Sequence, residues 1–211
     1  MTESRMSIKD LILVPSVITL GVTLLRLVGE LQGWSPALFG KQAGGGGSLV
    51  GISWLIPVLG IYFAVRLVRA GEGPASAGKV VGVSLLLILA VVGLGFGLNK
   101  LGQTAFFVGW MLASVAAVVL SASLWPALWR TLLAYAFAAR IPVVLVMLAA
   151  ILGNWGTHYD VSPPDFPEYS PLMKWVLIGL LPQMTIWIFM TVVFGLFVGG
   201  LTALVVKRKT A

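Results

Sequence analysis

Long apolar runs without a charged side chain limit what this sequence can fold into more than any other feature. The run from Val80 to Leu98, for example, lies between Lys79 and Lys100 and contains no charged residue. An apolar run of about 18 residues or more is long enough to cross the hydrocarbon core of a bilayer as a helix. A crossing segment must satisfy its backbone hydrogen bonds internally, so these runs predict transmembrane helices.

The composition points to the same environment. Of the 211 residues, 59% are hydrophobic and 10% are charged, whereas soluble domains carry about 25% charged residues. A chain this apolar cannot cover its surface with polar groups, so its solvent is lipid. We therefore predict an all-α, polytopic integral membrane bundle that forms one domain over residues 1–211, with the lipid bilayer as its main partner.

The net charge of +7 is explained by the positions of the basic residues. They lie at the ends of the apolar runs, where they act as orientation signals. No nucleic-acid-binding patch or module accompanies them, so we expect no nucleic-acid partner. The sequence contains no cysteine and one histidine, which excludes thiolate metal sites, thiol catalysis and bis-histidine haem ligation. We predict no metal and no cofactor.

The pattern predicts six transmembrane helices and one long outer loop. The fifth span is too long for a perpendicular crossing, so it is either tilted or broken near Pro142. Pro182 is expected to divide the sixth span into a short surface helix and a full crossing. Pro57 is expected either to kink the second span or to leave a carbonyl in it free. The predicted spans are residues 11–28, 49–67, 80–98, 104–124, 127–155 and 172–206, and the outer loop covers residues 153–171.

Glycine pairs spaced four residues apart predict where these helices approach each other closely. Gly93 and Gly97 lie on one face of the third span, and Gly195 and Gly199 on one face of the sixth. Small residues at this spacing let two membrane helices pack backbone to backbone. Both pairs are therefore expected to lie in helix contacts.

The distribution of lysine and arginine predicts an orientation. With six crossings, the basic residues are concentrated on the side of the two termini. The positive-inside rule then places both termini in the cytoplasm of a bacterial-type inner (plasma) membrane and the outer loop outside. The basic residues on the side of the termini are Arg5, Lys9, Arg66, Arg69, Lys79, Arg130, Lys207, Arg208 and Lys209, and those on the opposite side are Lys41, Lys100 and Lys174.

Two arginines stand out near or within the predicted spans. Arg26 and Glu30 are four residues apart near the end of the first helix, a spacing that predicts an interfacial ion pair. Arg140 lies below the membrane surface if the fifth helix is continuous, where a charge costs about 2.5–3.5 kcal/mol. It then needs a carbonyl, a lipid phosphate or an anionic ligand; the alternative is that it snorkels to the interface. Gln183 in the sixth helix either lines a path or bonds across helices.

The outer loop contains most of the remaining reactive side chains. It holds the only histidine, His158, with Asp160, Asp165 and Glu168, and three prolines that stiffen the backbone. These residues are candidates for a weak hard-cation site or, for His158 beside a carboxylate, a proton relay. The alternative is a solvated cap without a binding role.

The sequence is compatible with three classes of function. The favoured hypothesis is binding or translocation of a small solute or lipid headgroup by an interior-facing Arg140. The second is a non-catalytic membrane subunit or assembly factor, as a homo-oligomer or with a partner subunit docked on the outer loop. The third is an enzyme, which the sequence disfavours because it has no nucleophile elbow and no acid within a predicted span, leaving only His158 with Asp160.

Overall fold

The computed structural model describes residues 6–164 and 166–206. It is 74% helical and has no strand among the described residues, which confirms the all-α prediction. Five of its six helices are long and apolar enough to cross a membrane, and α2 is the exception. The chain is therefore an integral membrane helical bundle. The helices are α1 (Ile8–Leu31), α2 (Leu55–Arg69), α3 (Ala77–Asn99), α4 (Gln103–Leu120), α5 (Pro126–Gly153) and α6 (Pro171–Val205).

Helix α2 is shorter than the sequence predicts. Residues 49–54 form turns and bends, so the helix begins at Leu55 and contains 15 residues. At about 1.5 Å per residue it is roughly 22 Å long, against a hydrocarbon core of about 30 Å. Pro57 lies in its first turn, where a backbone N–H has no acceptor within the helix. The predicted kink at Pro57 is therefore wrong, because this proline lies at the start of the helix and not within it.

Helix α5 is one continuous helix of 28 residues that passes through Pro142. The break near Pro142, the second of the two alternatives, is therefore wrong, and the tilt of this over-long helix stays a prediction. Arg140 lies close to its midpoint, about 21 Å from Pro126 and about 20 Å from Gly153 at the usual rise per residue. Arg140 is thus far from both ends of the helix.

Helix α6 is irregular along its first two thirds. Two π-helical stretches, Trp175–Leu180 and Met190–Phe194, alternate with short α-helical turns. Thr185, with φ −121° and ψ −74°, interrupts the helix between them. The sequence placed the interruption at Pro182, but that residue lies inside a helical turn. Stretches of π-helix are frequent at functional sites, and Pro182 removes one backbone donor in this region.

Helices α5 and α6 form the centre of the bundle. In an 18-residue apolar stretch of each helix, 44% of the residues are buried in α5 and 56% in α6, against 28% or less in α1, α3 and α4. Helix α1 packs against α5, α3 packs against α4, and the Gly195–Val205 part of α6 packs against both α2 and α3. The outward faces of α1, α3 and α4 carry exposed apolar side chains such as Leu13, Leu86 and Leu112, as lipid-facing surfaces do.

Glycine contacts join α6 to its neighbours, as the sequence predicts. A Cβ on Gly195 or Gly199 would contact Leu132 or Leu128 of α5, and a Cβ on Gly60 would lie 3.2 Å from the carbonyl oxygen of Gly195. The backbones of α2 and α6 therefore touch at this crossing.

The predicted face at Gly93 and Gly97 is wrong, because a Cβ on either residue would meet no described atom within 4 Å. The α3–α4 contact uses Gly95 instead, where a Cβ would lie 3.5 Å from Phe106. Large aromatic side chains of α4 thus fill the space between α3 and α4, in place of close packing between the two backbones.

The two ends of the bundle are closed by different groups. At one end, which we call the Glu72 end, the Glu72 carboxylate accepts a hydrogen bond from the Met6 amide at 2.9 Å and the Glu72 carbonyl accepts one from Trp125 Nε1 at 2.7 Å. At the other, which we call the Glu30 end, Glu30 contacts His158. The chain therefore runs from Met6 at the Glu72 end to Glu30 at the other end, and then returns to Glu72.

Substitution of Gly60 tests the α2–α6 crossing. Gly60→Val places two methyl groups against the backbone of Gly195 and is expected to cost about 1–3 kcal/mol of stability, because the helices must separate. Gly93→Val is the matched control, since it adds the same side chain on an exposed face. The measurement is the thermal unfolding temperature in detergent; equal temperatures for the two variants would contradict the close crossing.

Candidate functional site

A cavity of about 600 Å³ extends from the Glu30 end to Arg140 near the middle of α5. Its walls come from α1, α4, α5 and α6, and the loops at residues 44–53 and 158–169 contribute to its outer part. Most of its lining is apolar, and the polar exceptions include both arginines singled out from the sequence. Representative lining residues are Val22, Arg26, Phe107, Met111, Arg140, Met147, His158, Tyr159, Gln183 and Trp187.

The Arg26–Glu30 pair lies on the last turns of α1. Arg26 Nε donates to Glu30 Oε1 at 2.8 Å. The spacing of four residues places both side chains on one helix face, as the sequence predicts. The pair is not at an exposed interface, however, since Arg26 is 7% exposed and Glu30 is fully buried. The chain folds over this face and removes it from water.

The loop between α1 and α2 covers the Arg26 guanidinium. Arg26 Nη2 donates to the carbonyls of Gly40 and Gly45, both at 3.1 Å, and to Ser48 Oγ at 3.2 Å. Gly45 has a φ of +72°, and a Cβ there would lie 2.9 Å from the His158 ring. Gly45 belongs to a run of four glycines, Gly44 to Gly47, and its backbone lies directly over Arg26 and His158.

His158 is held by Glu30 through two hydrogen bonds. Its backbone N–H donates to Glu30 Oε2 at 2.8 Å, and its Nδ1 lies 2.5 Å from Glu30 Oε1. Burial lowers the pKa of His158 below its usual value; the hydrogen bond with Glu30 opposes this effect, and the charge on Arg26 adds to it. The ring is therefore neutral at neutral pH, with Nδ1–H donating to Glu30, whose charge Arg26 already balances.

Tyr159 fixes the loop to α1 next to His158. The His158 and Tyr159 rings lie 3.8 Å apart between centroids, and the Tyr159 hydroxyl donates to the carbonyl of Thr23 at 3.1 Å. Burial raises the pKa of Tyr159 well above its usual value, so it stays a neutral donor. No local sequence pattern predicts this role, because the contact joins residues that are 136 positions apart.

The acids of the outer loop do not gather around His158. Asp160 accepts hydrogen bonds from the Gly156 and Thr157 amides and from the Thr157 hydroxyl at 2.7–2.8 Å, so it closes its own turn. Glu168 is exposed, and Asp165 lies outside the described residues. Among residues 6–164 and 166–206 no three His, Asp or Glu side chains are placed to share a cation. The carboxylate that contacts His158 is Glu30. The sequence had suggested Asp160 instead.

Arg140 is the second polar centre of the cavity and is only 3% exposed. Its Nη1 donates to Gln183 Oε1 at 3.3 Å, and its Cζ lies 4.5 Å from the centre of the Trp187 ring. It does not snorkel to an interface. Gln183 and Trp187 are four residues apart on α6, on either side of the irregular Thr185, so this part of α6 holds the guanidinium in place.

Arg140 has no carboxylate partner among the described residues. The ion pairs found there involve only Arg26, Glu30 and His158. The Nε of Arg140 is buried without any hydrogen-bond acceptor. A buried cation that is held only by an amide oxygen and an aromatic face is an unusual and costly arrangement. The charge of Arg26, by contrast, is balanced by Glu30. Arg140 is therefore the arginine whose charge and Nε donor have no partner among the described residues.

Comparison with protein-family models, with curated proteins and with solved structures yields no match for this chain. Its function is therefore argued from the chemistry of the cavity.

Removal of the Glu30 charge is expected to loosen the whole Glu30 end. Glu30→Gln leaves Arg26 as an unbalanced buried charge and weakens two bonds to His158, so it should cost about 3–5 kcal/mol. Amide hydrogen exchange at residues 156–160 should speed up together with this loss of stability. Glu168→Gln, in the exposed part of the same loop, is the control; unchanged exchange in Glu30→Gln would contradict the anchoring role.

The lowered pKa of His158 predicts a pH dependence of stability. The folded protein binds the His158 proton less tightly than the unfolded chain, so this contribution is present above about pH 6.5 and is lost as the pH falls below it. Unfolding temperatures measured from about pH 8 to about pH 5.5 should therefore decrease. His158→Asn retains an N–H donor but does not titrate, so its decrease should be smaller. Equal decreases for both proteins would show that His158 does not carry this effect.

Proposed function

We propose that this protein binds a small anionic ligand inside the membrane, with Arg140 as the residue that contacts the anion. One observation carries the proposal: a buried arginine halfway along a membrane-spanning helix lines a cavity and has no acidic partner among the described residues. A carboxylate or phosphate would supply the missing charge. The guanidinium presents parallel N–H donors that match both groups in a bidentate arrangement.

The surroundings of Arg140 support a binding role over a purely structural one. A residue that only stabilised the fold would be better replaced by an apolar side chain, because burying an unpaired charge opposes folding. Gln183 and Trp187 orient the guanidinium without neutralising it. The site is therefore organised before any ligand arrives, and this reduces the cost of binding. The cavity volume of about 600 Å³ lies within the range of about 300–1,000 Å³ that small-molecule sites have.

The proposal includes a direction. In this proposal the chain crosses the membrane six times, and α2 is a short crossing. Met6 and Glu72 then lie together at one end and His158 at the other. The excess of lysine and arginine at the Glu72 end favours a cytoplasmic location for it and for both termini. The cavity then opens on the outer side of a bacterial-type inner membrane. A water-soluble ligand would reach Arg140 from outside.

Translocation is the extension of this proposal. Beyond Arg140, toward the Glu72 end, the Tyr135 hydroxyl lies 2.7 Å from Thr19 Oγ1 and both side chains are buried. Tyr135 also packs on Phe63 of α2, with ring centroids 5.6 Å apart. In this proposal these contacts close the pathway toward the Glu72 end, and transport would require them to separate.

A second candidate function rests on the exposed beginning of α6. Tyr169, Leu172 and Met173 are 47–61% exposed and follow the prolines of the outer loop. A partner, either a second copy of this chain or another membrane subunit, would cover them. Photo-crosslinking from Leu172 should capture such a partner in the membrane. A protein that stays monomeric there and binds anions would remove this candidate.

Substitution of Arg140 tests the proposed function. Arg140→Gln removes the charge and retains hydrogen-bonding groups, so it should abolish the rise in unfolding temperature that an anionic ligand produces. The probes are inorganic phosphate, benzoate and dodecyl phosphate, added to protein in lipid nanodiscs. Arg130→Gln is the matched control, because Arg130 lies on the same helix with an exposed side chain. If no probe stabilises the native protein, or Arg140→Gln responds as the native protein does, the proposal is wrong.

A further inference from the structure

The cavity has two properties that together define its ligand more closely than a charge alone. Around Arg140 its walls are apolar, with Val143 and Met147 of α5, Phe107 and Met111 of α4, and Trp187 of α6. A small hydrated anion such as inorganic phosphate would lose its water here and gain one cationic contact in return. An anion attached to an apolar body would gain that contact and bury the body against these side chains as well.

The cavity also reaches the lipid-facing surface of the bundle. Helix α1 packs against α5 and α2, whereas α4 packs against α3 and α6, and no packed interface forms between α1 and α4 in the described part of the chain. Both helices nevertheless line the cavity, through Val22 and Arg26 on α1 and through Phe107 and Val108 on α4. Val108 lines the cavity and is 48% exposed, on a helix whose outward face is apolar. The stretch of cavity wall between α1 and α4, which we call the gap, therefore has no packed helix interface and lies beside the exposed Val108.

From these observations we infer that the ligand is an amphipathic anion dissolved in the bilayer, a carboxylate or phosphate on an apolar body, which enters sideways between α1 and α4 and places its anion on Arg140. The inference rests on the proposed function, since it assigns the ligand class and the route to the same site. The positive charge of Arg140 attracts the anion, and the apolar walls bury the apolar body. The gap beside Val108 provides a route from the bilayer. A free water-soluble anion of the same chemistry is the alternative source, and it would enter at the Glu30 end.

Equilibrium binding to the full chain in lipid nanodiscs distinguishes these sources. The probes are radiolabelled dodecyl phosphate, inorganic phosphate and dodecanol, with empty nanodiscs to subtract partition into lipid. Dodecyl phosphate should bind saturably and at least about tenfold more tightly than inorganic phosphate, and dodecanol should show no saturable binding. Arg140→Gln should weaken dodecyl phosphate binding by about ten- to a hundredfold, the range expected for loss of a charge-assisted hydrogen bond.

The route is tested by a pair of substitutions on α4. Val108→Trp places a large side chain in the gap and should slow the association of dodecyl phosphate several-fold. Val115→Trp is the matched control, because Val115 is 44% exposed, lies two turns further along α4 and does not line the cavity. If Val108→Trp binds dodecyl phosphate as fast as Val115→Trp does, the sideways route is wrong.

The remaining outcomes separate this inference from the proposed function. Equal affinity for inorganic phosphate and dodecyl phosphate, with both dependent on Arg140, would overturn the amphipathic ligand and leave the anion site intact. Saturable dodecanol binding that equals dodecyl phosphate binding, or binding unchanged in Arg140→Gln, would overturn both. Absence of saturable binding of every probe to the native protein would also overturn both.

Discussion

The balance of charge in a medium of low dielectric constant governs this structure. Inside an apolar bundle each ionised group must be neutralised by a neighbour or held by oriented dipoles, because water is not available to solvate it. At the Glu30 end this requirement is met in full. The Glu30 carboxylate receives Arg26 Nε and two donors of His158, and Arg26 in turn uses three acceptors of the α1–α2 loop. Glu30 thereby joins α1 directly to the loop that carries His158, and Arg26 joins α1 to the α1–α2 loop.

Arg140 departs from the same requirement, and that departure gives the cavity its chemical character. Its guanidinium is fixed by an amide oxygen and an aromatic face, but its charge is not matched by an acid among the described residues. Gln183 and Trp187, four residues apart on α6, both contact Arg140. The helix between and around them is irregular, with the interruption at Thr185 and a π-helical segment on either side. Irregular helices of this kind commonly accompany binding sites within membranes.

The two halves of the bundle are packed by different means. Toward the Glu72 end, glycines at 60, 195 and 199 bring α2, α5 and α6 into close contact, and Tyr135, Phe63 and Thr19 fill the space between them. Toward the Glu30 end, α4 stands away from α1, and loops take the place of helix contacts. Close packing at one end and loose packing at the other produce a cavity that is closed at its inner limit. This asymmetry is what a site reached from one side or from the bilayer requires.

The sequence by itself determined the solvent, the secondary structure and the approximate place of most helices, because uncharged apolar length and flanking cations are local properties of a chain. It also identified Arg140 and the Arg26–Glu30 spacing, since a charge within an apolar run is visible in one dimension. It could not show that Glu30 contacts His158 across 128 positions, that Asp160 closes its own turn, or that Arg140 faces a cavity beside Trp187. Periodicity specifies a face of a helix but not what that face meets. Only the packing of α1, α4, α5 and α6 against one another decided that Arg26 is balanced by Glu30 and that Arg140 has no acidic partner among the described residues.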